Sequence, residues 1–361
     1  MKGACVILCA LKQFYLQSID ESIVANLCDN FSSTRKVQGV DFIDNLLSIT
    51  SMRLNCLAAL VLSVLGVTSF LADDVVAADS HLKVVTGNTI VQDIVLHIGG
   101  DLVASTCLLQ AGVDPHTYQP VPEDAKRLSA AQLVIINGLG FEGWFAGLAK
   151  ESGFKGIVVV ATTGIETLKM DAEHDEHENG AAHAHGKVDD PHAFNSIANG
   201  VRYAENIRDA LITADAPHAE QYRTRSVTYI ANLRKVDAWA KKEFSVLTRN
   251  QRKLITNHDA LQYFAKEYGF EILAPNTALE DSQPSAKDVA ELVTFIKAQQ
   301  VKGVFLEFGK NDKVIRQVSA EAGVAIGNEL YLDGVGPVGS PANTYVGMFT
   351  SNVNNIVNGL K

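Results

Sequence analysis

Two α/β lobes with parallel sheets are the fold class this sequence predicts, and three observations predict it. From residue 82 short β-branched runs alternate with helical patterns, and after residue 250 the alternation resumes. Between the two stretches lies a long segment, Glu220 to about Leu247, that contains no Gly or Pro. Alternation of this kind indicates βαβ units. A chain of 361 residues with 47% hydrophobic content is long enough for two such domains.

In the first lobe Leu82–Thr86, Val103–Leu108, Leu133–Asn137 and Ile157–Ala161 are expected as strands, and Thr89–Ile98, Pro122–Ala131 and Phe141–Ser152 as helices. In the second, strands are expected at Lys253–Thr256, Glu271–Leu273, Gly303–Glu307 and Val324–Ile326, with helices at Ala260–Tyr268, Ser285–Gln299 and Lys313–Glu321. The segment between them follows Asp215-Ala-Pro and places Tyr222, Val227, Ile230, Leu233, Val236 and Trp239 at helical spacing. About 28 helical residues span roughly 42 Å. Such a helix either runs the height of both lobes or belongs to one of them, and periodicity alone does not choose.

Upstream, Met52-Arg53, the apolar run Leu57 to Leu71 and the small residues Val75-Val76-Ala77-Ala78 have the pattern of a secretory signal peptide. A transmembrane anchor is the alternative. Against it, Ser63, Gly66, Thr68 and Ser69 interrupt the run and Asp73-Asp74 stop it short of the roughly 20 residues a span needs. Residues 52–78 are therefore expected to be cleaved before Asp79, and 1–51 to be an upstream extension foreign to the native protein, with translation starting at Met52. Cys5, Cys9, Cys28 and Cys56 fall in the discarded part, which leaves Cys107 alone and no intramolecular disulfide. Cys56 precedes the apolar run, whereas a lipid-attachment cysteine follows it, so a soluble periplasmic protein is expected. A formal charge of −10 and the lack of clustered Lys and Arg with interleaved aromatics argue against nucleic acid as a partner.

The chemistry lies in the histidines. Four of the ten, His174, His177, His183 and His185, sit in an acidic stretch, 171–186, with no hydrophobic period, which reads as a surface loop. Three others occupy junctions between elements. His116 lies in Gly112-Val-Asp-Pro-His-Thr-Tyr, after the second strand, and His192 in Asp189-Asp-Pro-His-Ala-Phe, before a helical stretch. His258 ends Leu254-Ile-Thr-Asn-His in the second lobe, and Asp333 follows in Glu329-Leu-Tyr-Leu-Asp. The carboxyl ends of strands are where open α/β sheets bind ligands. Three imidazoles and one carboxylate, two groups from each lobe, make a four-ligand site suited to Zn²⁺, while Mn²⁺ usually takes more oxygen ligands. Each residue also has a plainer reading, since Asp-Pro starts many turns and a loop histidine is commonly just solvated.

With these motifs the sequence resembles the zinc and manganese solute-binding proteins of bacterial ABC importers, the cluster A-I or metal-binding adhesin-like family. The resemblance runs from about residue 82 to the end. It rests on Val113-Asp-Pro-His-Thr-Tyr-Gln-Pro, Asp124 with Leu128-Ser-Ala-Ala-Gln-Leu-Val, Asn137-Gly-Leu-Gly-Phe-Glu-Gly-Trp, Asp190-Pro-His-Ala-Phe, Asn257-His-Asp-Ala-Leu-Gln-Tyr-Phe, Ser282-Gln-Pro-Ser-Ala-Lys and Leu330-Tyr-Leu-Asp. It implies two lobes joined by one long rigid linker helix, which favours the linker reading, and a metal held between them by His116, His192, His258 and Asp333. It also implies a zinc-type protein, since the third ligand is His where manganese binders often have Glu, and a short copy of the His-rich loop found in zinc members. The implied organisation is a first lobe over 79–214, a linker over 215–249 and a second lobe over 250–361.

The implied partners are a membrane permease of the importer and a periplasmic zinc metallochaperone, with the chain acting as a monomer. The chain departs from members that carry a lipid anchor or a disulfide in the second lobe. Two other classes stay open. A three-histidine zinc site with water in the fourth position is the plan of a hydrolase, but Asp333 fills that position and a general base such as Glu142 or Glu307 is also needed. A metal-dependent adhesin, with metal stiffening the fold, is the other. No enzymatic activity is expected.

Overall fold

The computed structural model describes residues 81–171, 186–273 and 286–361. The expected upstream extension, the signal peptide, and His174, His177, His183 and His185 lie outside them. Residues 80–361 form one compact unit.

The first lobe is built on β1 (Leu82–Thr86), β2 (Val103–Cys107), β3 (Leu133–Ile136) and β4 (Ile157–Val160). All neighbours are parallel, in the order β2-β1-β3-β4. Successive strand side chains point to opposite faces, and here each face has its own cluster. Val84, Leu133 and Ile135 pack with α1 (Thr89–Gly99), whose Ile90, Val91, Ile94, Val95 and Ile98 form its buried stripe. Val85 and Val134 face the other way, onto Leu128 of α2 (Pro122–Ser129) and Phe145 and Leu148 of α3 (Phe145–Ser152). Asn88 starts α1 by accepting from the amides of Ile90 and Val91, as an N-cap does. Past β4, β5 (Lys169–Asp171) and β6 (Lys187–Asp189) form an antiparallel pair.

A helix not anticipated as an element of its own, α4 (Ile197–Ala214), precedes the long one, α5 (Ala219–Phe244). The 26 residues of α5 span roughly 39 Å at 1.5 Å each. Its buried stripe is Tyr222, Ser226, Tyr229, Ile230, Leu233, Val236, Ala240 and Phe244, the 3–4 spacing of an amphipathic helix. Val227, expected on that stripe, instead stands on the outer face at 66% exposure. The helix packs against α1 and α4 at one end. At the other, Phe244 meets Phe264, Tyr268 and Phe270 of the second lobe, with ring centroids 4.9–5.4 Å apart.

In the second lobe β7 (Lys253–Leu254) pairs in parallel with β8 (Glu271–Ile272), and β9 (Gly303–Glu307) with β10 (Ala325–Leu330). The amide of Phe305 donates to the carbonyl of Ile255 at 3.1 Å, just past β7, and joins the two pairs. The resulting order, β8-β7-β9-β10, repeats that of the first lobe. Helices α6 (Gln262–Tyr268), α7 (Ala286–Ala298) and α8 (Lys313–Ala322) connect the strands. The chain then enters α9 (Tyr345–Leu360), which sequence periodicity did not single out. Its Gly and Asn content disfavours helix, and burial of Tyr345, Met348, Phe349, Val353 and Ile356 offsets that. Asn352 adds a paired contact, accepting from the Tyr331 amide at 2.9 Å and donating to its carbonyl at 2.7 Å.

One hydrophobic cluster runs through both lobes, from Ile94 and Tyr203 to Leu261 and Phe349. Polar ties cross the same boundary. Asn195 donates to the carbonyls of Ala260 and Leu332 at 3.0 and 3.1 Å, and the Tyr263 hydroxyl donates to the Asp190 carbonyl at 2.9 Å. The Tyr345 hydroxyl donates to the Phe194 carbonyl at 2.6 Å. A buried, hydrogen-bonded junction of this kind fixes the lobes against each other.

Candidate metal centre

In both lobes the strand order, not the strand direction, reverses between the first and third strands, and such switch points gather ligand-binding loops at the carboxyl ends of strands. His116 sits in the loop after β2, His258 beyond β7, and Asp333 beyond β10. His192 follows β6 and precedes a short 3-10 turn, Ala193–Asn195. These four residues converge, and their ligand atoms all lie within 4.8 Å of one another.

The repeated Asp-Pro-His triplet folds the same way twice. Asp114 Oδ1 accepts from the His116 amide at 2.8 Å, and Asp190 Oδ1 accepts from the His192 amide at 2.9 Å. This is the Asx turn that Asp-Pro favours, so turn formation and donor placement are one event. The Trp144 indole N–H donates to the Pro115 carbonyl at 2.9 Å and holds the first triplet, and Asn137 Nδ2 donates to the Pro191 carbonyl at 2.9 Å and holds the second.

Each buried ring has its outer nitrogen engaged. His192 Nδ1 lies 2.8 Å from Asp190 Oδ1, and His258 Nδ1 lies 2.5 Å from Glu307 Oε2. Glu307 also accepts from the His258 amide at 2.9 Å. The Nε2 atoms therefore face inward. His192 Nε2 is 3.2 Å from His116 Nε2, His258 Nε2 is 3.1 Å from Asp333 Oδ1, and His192 Nε2 is 3.5 Å from that same oxygen. A tetrahedron with bonds near 2.1 Å has edges of about 3.4 Å. Three of the observed separations match that edge.

The wall around the donors is apolar and aromatic on one side. Phe141 packs edge-on against His116 and His192, with centroids 5.1 and 5.8 Å away. Burial is the main force holding the His116 imidazole down, to a pKa of about 4, and the neighbouring rings add to it. His258 goes the other way: burial opposes its charge, but Asp333 and Glu307 outweigh burial and lift it well above the usual histidine range. Asp333 is held well below the usual carboxylate range by His258, Lys310 and His192, against the effect of burial.

Lys310 was not singled out from the sequence. Its Nζ is 2.6 Å from Asp114 Oδ2 and 3.5 Å from Asp333 Oδ2, and its side chain is only 13% exposed. A lone lysine three residues past a strand carries no local pattern that marks it. Nor does the sequence mark Asp190 and Glu307 as the residues that orient the rings, although Asp190 lies within a motif and Glu307 is a general-base candidate on the hydrolase reading. Both Glu307 oxygens are taken by His258. Glu142 is buried and accepts from the Asn88 side chain and the Asn137 and Gly138 amides, so it braces the first-lobe loops. Cys107 is free, and burial pushes its thiol up to about 11. Among the described residues no helix is long and apolar enough to cross a membrane.

Comparison with known proteins gives one consistent picture. A family model described as zinc-uptake complex component A, periplasmic, matches residues 84–359. The manganese-binding lipoprotein MntA of Bacillus subtilis (strain 168) is 32% identical over 316 residues, covering 86% of this chain and 100% of that protein. The iron-binding protein YfeA of Yersinia pestis is 32% identical over 283 residues, covering 77% and 86%. Among solved structures, the periplasmic zinc-binding protein TroA from Treponema pallidum superposes with a TM-score of 0.68 at 27% identity, covering 78% of this chain and 99% of that one. A manganese-bound periplasmic metal-binding protein from Candidatus Liberibacter asiaticus gives 0.66 at 27% identity, covering 77% and 99%.

Proposed function

The chain belongs to the periplasmic zinc-uptake complex component A family, and from that premise we propose that it captures Zn²⁺ outside the cytoplasmic membrane and delivers it to the permease of an ABC importer. Membership makes it a metal-binding component of such an importer. The choice of zinc, the four ligands and the route of delivery are the proposal.

One observation carries it: three imidazole Nε2 atoms and one carboxylate oxygen, drawn from both lobes, converge within 4.8 Å. Three nitrogens and one oxygen at that spacing suit a four-coordinate Zn²⁺. The donors are held from behind by Asp190 and Glu307, as ligating histidines commonly are. The first lobe contributes His116 and His192 and the second His258 and Asp333, with 79–214, 215–249 and 250–361 as lobe, linker and lobe.

Manganese is the second reading, favoured by the relative named for it at 32% identity. Mn²⁺ follows harder, oxygen-richer sites, and this one has a single carboxylate among four donors. Elemental analysis of protein purified without added metal, followed by competition between zinc and manganese, tests the choice. One equivalent of zinc that manganese does not displace supports the proposal, and preferential retention of manganese rejects it.

The histidines of the 171–186 loop are proposed to hold a second, weaker equivalent that helps collect metal for the main site. A loop must lose conformational entropy to bind, so its affinity is expected to be lower.

A further inference from the structure

Asp333 turns its two oxygens towards different neighbours. Oδ1 faces the donors, 3.1 Å from His258 Nε2 and 3.5 Å from His192 Nε2. Oδ2 faces Lys310 Nζ at 3.5 Å. We propose that Lys310 is a specificity-determining residue, which reserves Asp333 Oδ2 and so limits the carboxylate to one bond with the ion. The inference rests on the functional reading above and deepens it.

The position of Lys310 is built into the backbone. The turn that follows β9 brings Gly309 against Gly112 of the first lobe, where a Cβ on Gly309 would meet the Gly112 carbonyl oxygen at 2.7 Å. Gly309 has φ +86°, a conformation that favours glycine. That approach lets Lys310 reach across to Asp114 Oδ2 at 2.6 Å. Glu307, whose carbonyl accepts from the Lys310 amide at 3.2 Å, lies in the same turn and holds His258. One short segment thus orients a nitrogen donor and sets an ammonium 3.5 Å from the spare oxygen of the carboxylate donor.

The consequence is a coordination number. A carboxylate with both oxygens free can bind an ion through both, which adds an oxygen and opens a five-coordinate shell. To do so here, Asp333 Oδ2 must be shared between the ion and an ammonium 3.5 Å away that is largely removed from water, where charges act on each other more strongly. The ammonium would then face the incoming cation with Asp114 as its main counter-charge. Ions satisfied by four donors lose nothing by this arrangement, whereas Mn²⁺, which usually takes more oxygens, is disfavoured. Lys310 also repels any cation, so it lowers affinity for every divalent ion while widening the preference for zinc.

The test compares the parent with Lys310→Met and Lys310→Arg, using zinc, manganese and cobalt(II) as probes. Cobalt(II) absorbs visible light strongly in a four-coordinate site and weakly at higher coordination. The parent is expected to give strong bands. In Lys310→Met the bands should weaken and the zinc-to-manganese affinity ratio should fall by about tenfold or more, the scale seen when supporting groups around a metal are lost. Lys310→Arg, which keeps a cationic donor beside Oδ2, should retain the parent ratio. Unchanged bands and an unchanged ratio in Lys310→Met would overturn the role of Lys310 alone. Failure of the parent to bind one equivalent of zinc or cobalt would overturn the functional reading itself.

Discussion

Glu307 grips His258 at two points, accepting from its backbone amide at 2.9 Å through Oε1 and lying 2.5 Å from its Nδ1 through Oε2. The ring cannot turn without breaking the second contact, and its loop cannot shift without breaking the first. Asp190 does the same for His192 with a single oxygen. Glu307→Gln keeps the size but weakens the grip on Nδ1. It is expected to lower zinc affinity by about 10–100-fold, measured by competition with a chelator. Affinity equal to the parent would mean the ring is held by packing alone.

Binding should release a proton. In the metal-free protein Asp333 and Glu307 keep His258 protonated well above the usual range, against burial, and a ligating imidazole must be neutral. His116, held to about 4 chiefly by burial, has no proton to give near neutrality. About one proton per ion is therefore expected at pH 7, read from binding heats in two buffers of different ionisation enthalpy. Equal heats in both buffers would contradict this.

The same shifts set how stability without metal depends on pH. His258 has a raised pKa, so its contribution is complete below about pH 6.5 and is lost as pH rises through the raised value. His116 has a lowered pKa, so its contribution is complete above about pH 6.5 and is lost as pH falls towards about 4. Replacing His116 by Phe should flatten the acid side of the profile between these limits, as followed by urea unfolding. An unaltered acid limb would show that other groups dominate it.

Asn195 ties the first lobe to two carbonyls of the second and is 2% exposed. Asn195→Ala leaves the Ala260 and Leu332 carbonyls without this donor. A loss of about 1–3 kcal/mol is expected, read from denaturant midpoints at constant slope. A loss below that range would mean that the shared apolar core and the Tyr263 and Tyr345 hydroxyl contacts hold the lobes together without it.

Deleting 171–186 should remove a weak zinc equivalent and slow loading at low zinc, with the tight equivalent unaffected. Calorimetry and stopped-flow loading together decide it. If both are unchanged, the loop is only a tether.

The strands of the parallel sheets and the long helix were legible because their signals are local: short β-branched runs, and a stripe at 3–4 spacing free of Gly and Pro; the three-residue strands β5 and β6 carry no such signal and were not. Val227 fits the spacing loosely and ended on the outer face, since pattern alone does not say which edge of a stripe meets the core. Helix α9 was missed because its residues favour helix poorly and it forms by packing onto β10 and α5. The four residues that converge were legible, His116 and His192 through the repeated Asp-Pro-His triplet and His258 and Asp333 as residues beyond strands. Lys310 was not, because its meaning comes from Gly309 meeting Gly112 about 200 positions away in sequence, a contact no window along the chain contains.

The most direct test of the central claim is diffraction from zinc-loaded crystals, with data collected on both sides of the zinc absorption edge. One strong anomalous peak is predicted between the lobes, bonded to Nε2 of His116, His192 and His258 and to Oδ1 of Asp333 at about 2.0–2.2 Å. A tightly bound zinc found elsewhere, or at this place with any of the four residues turned away, would contradict the account.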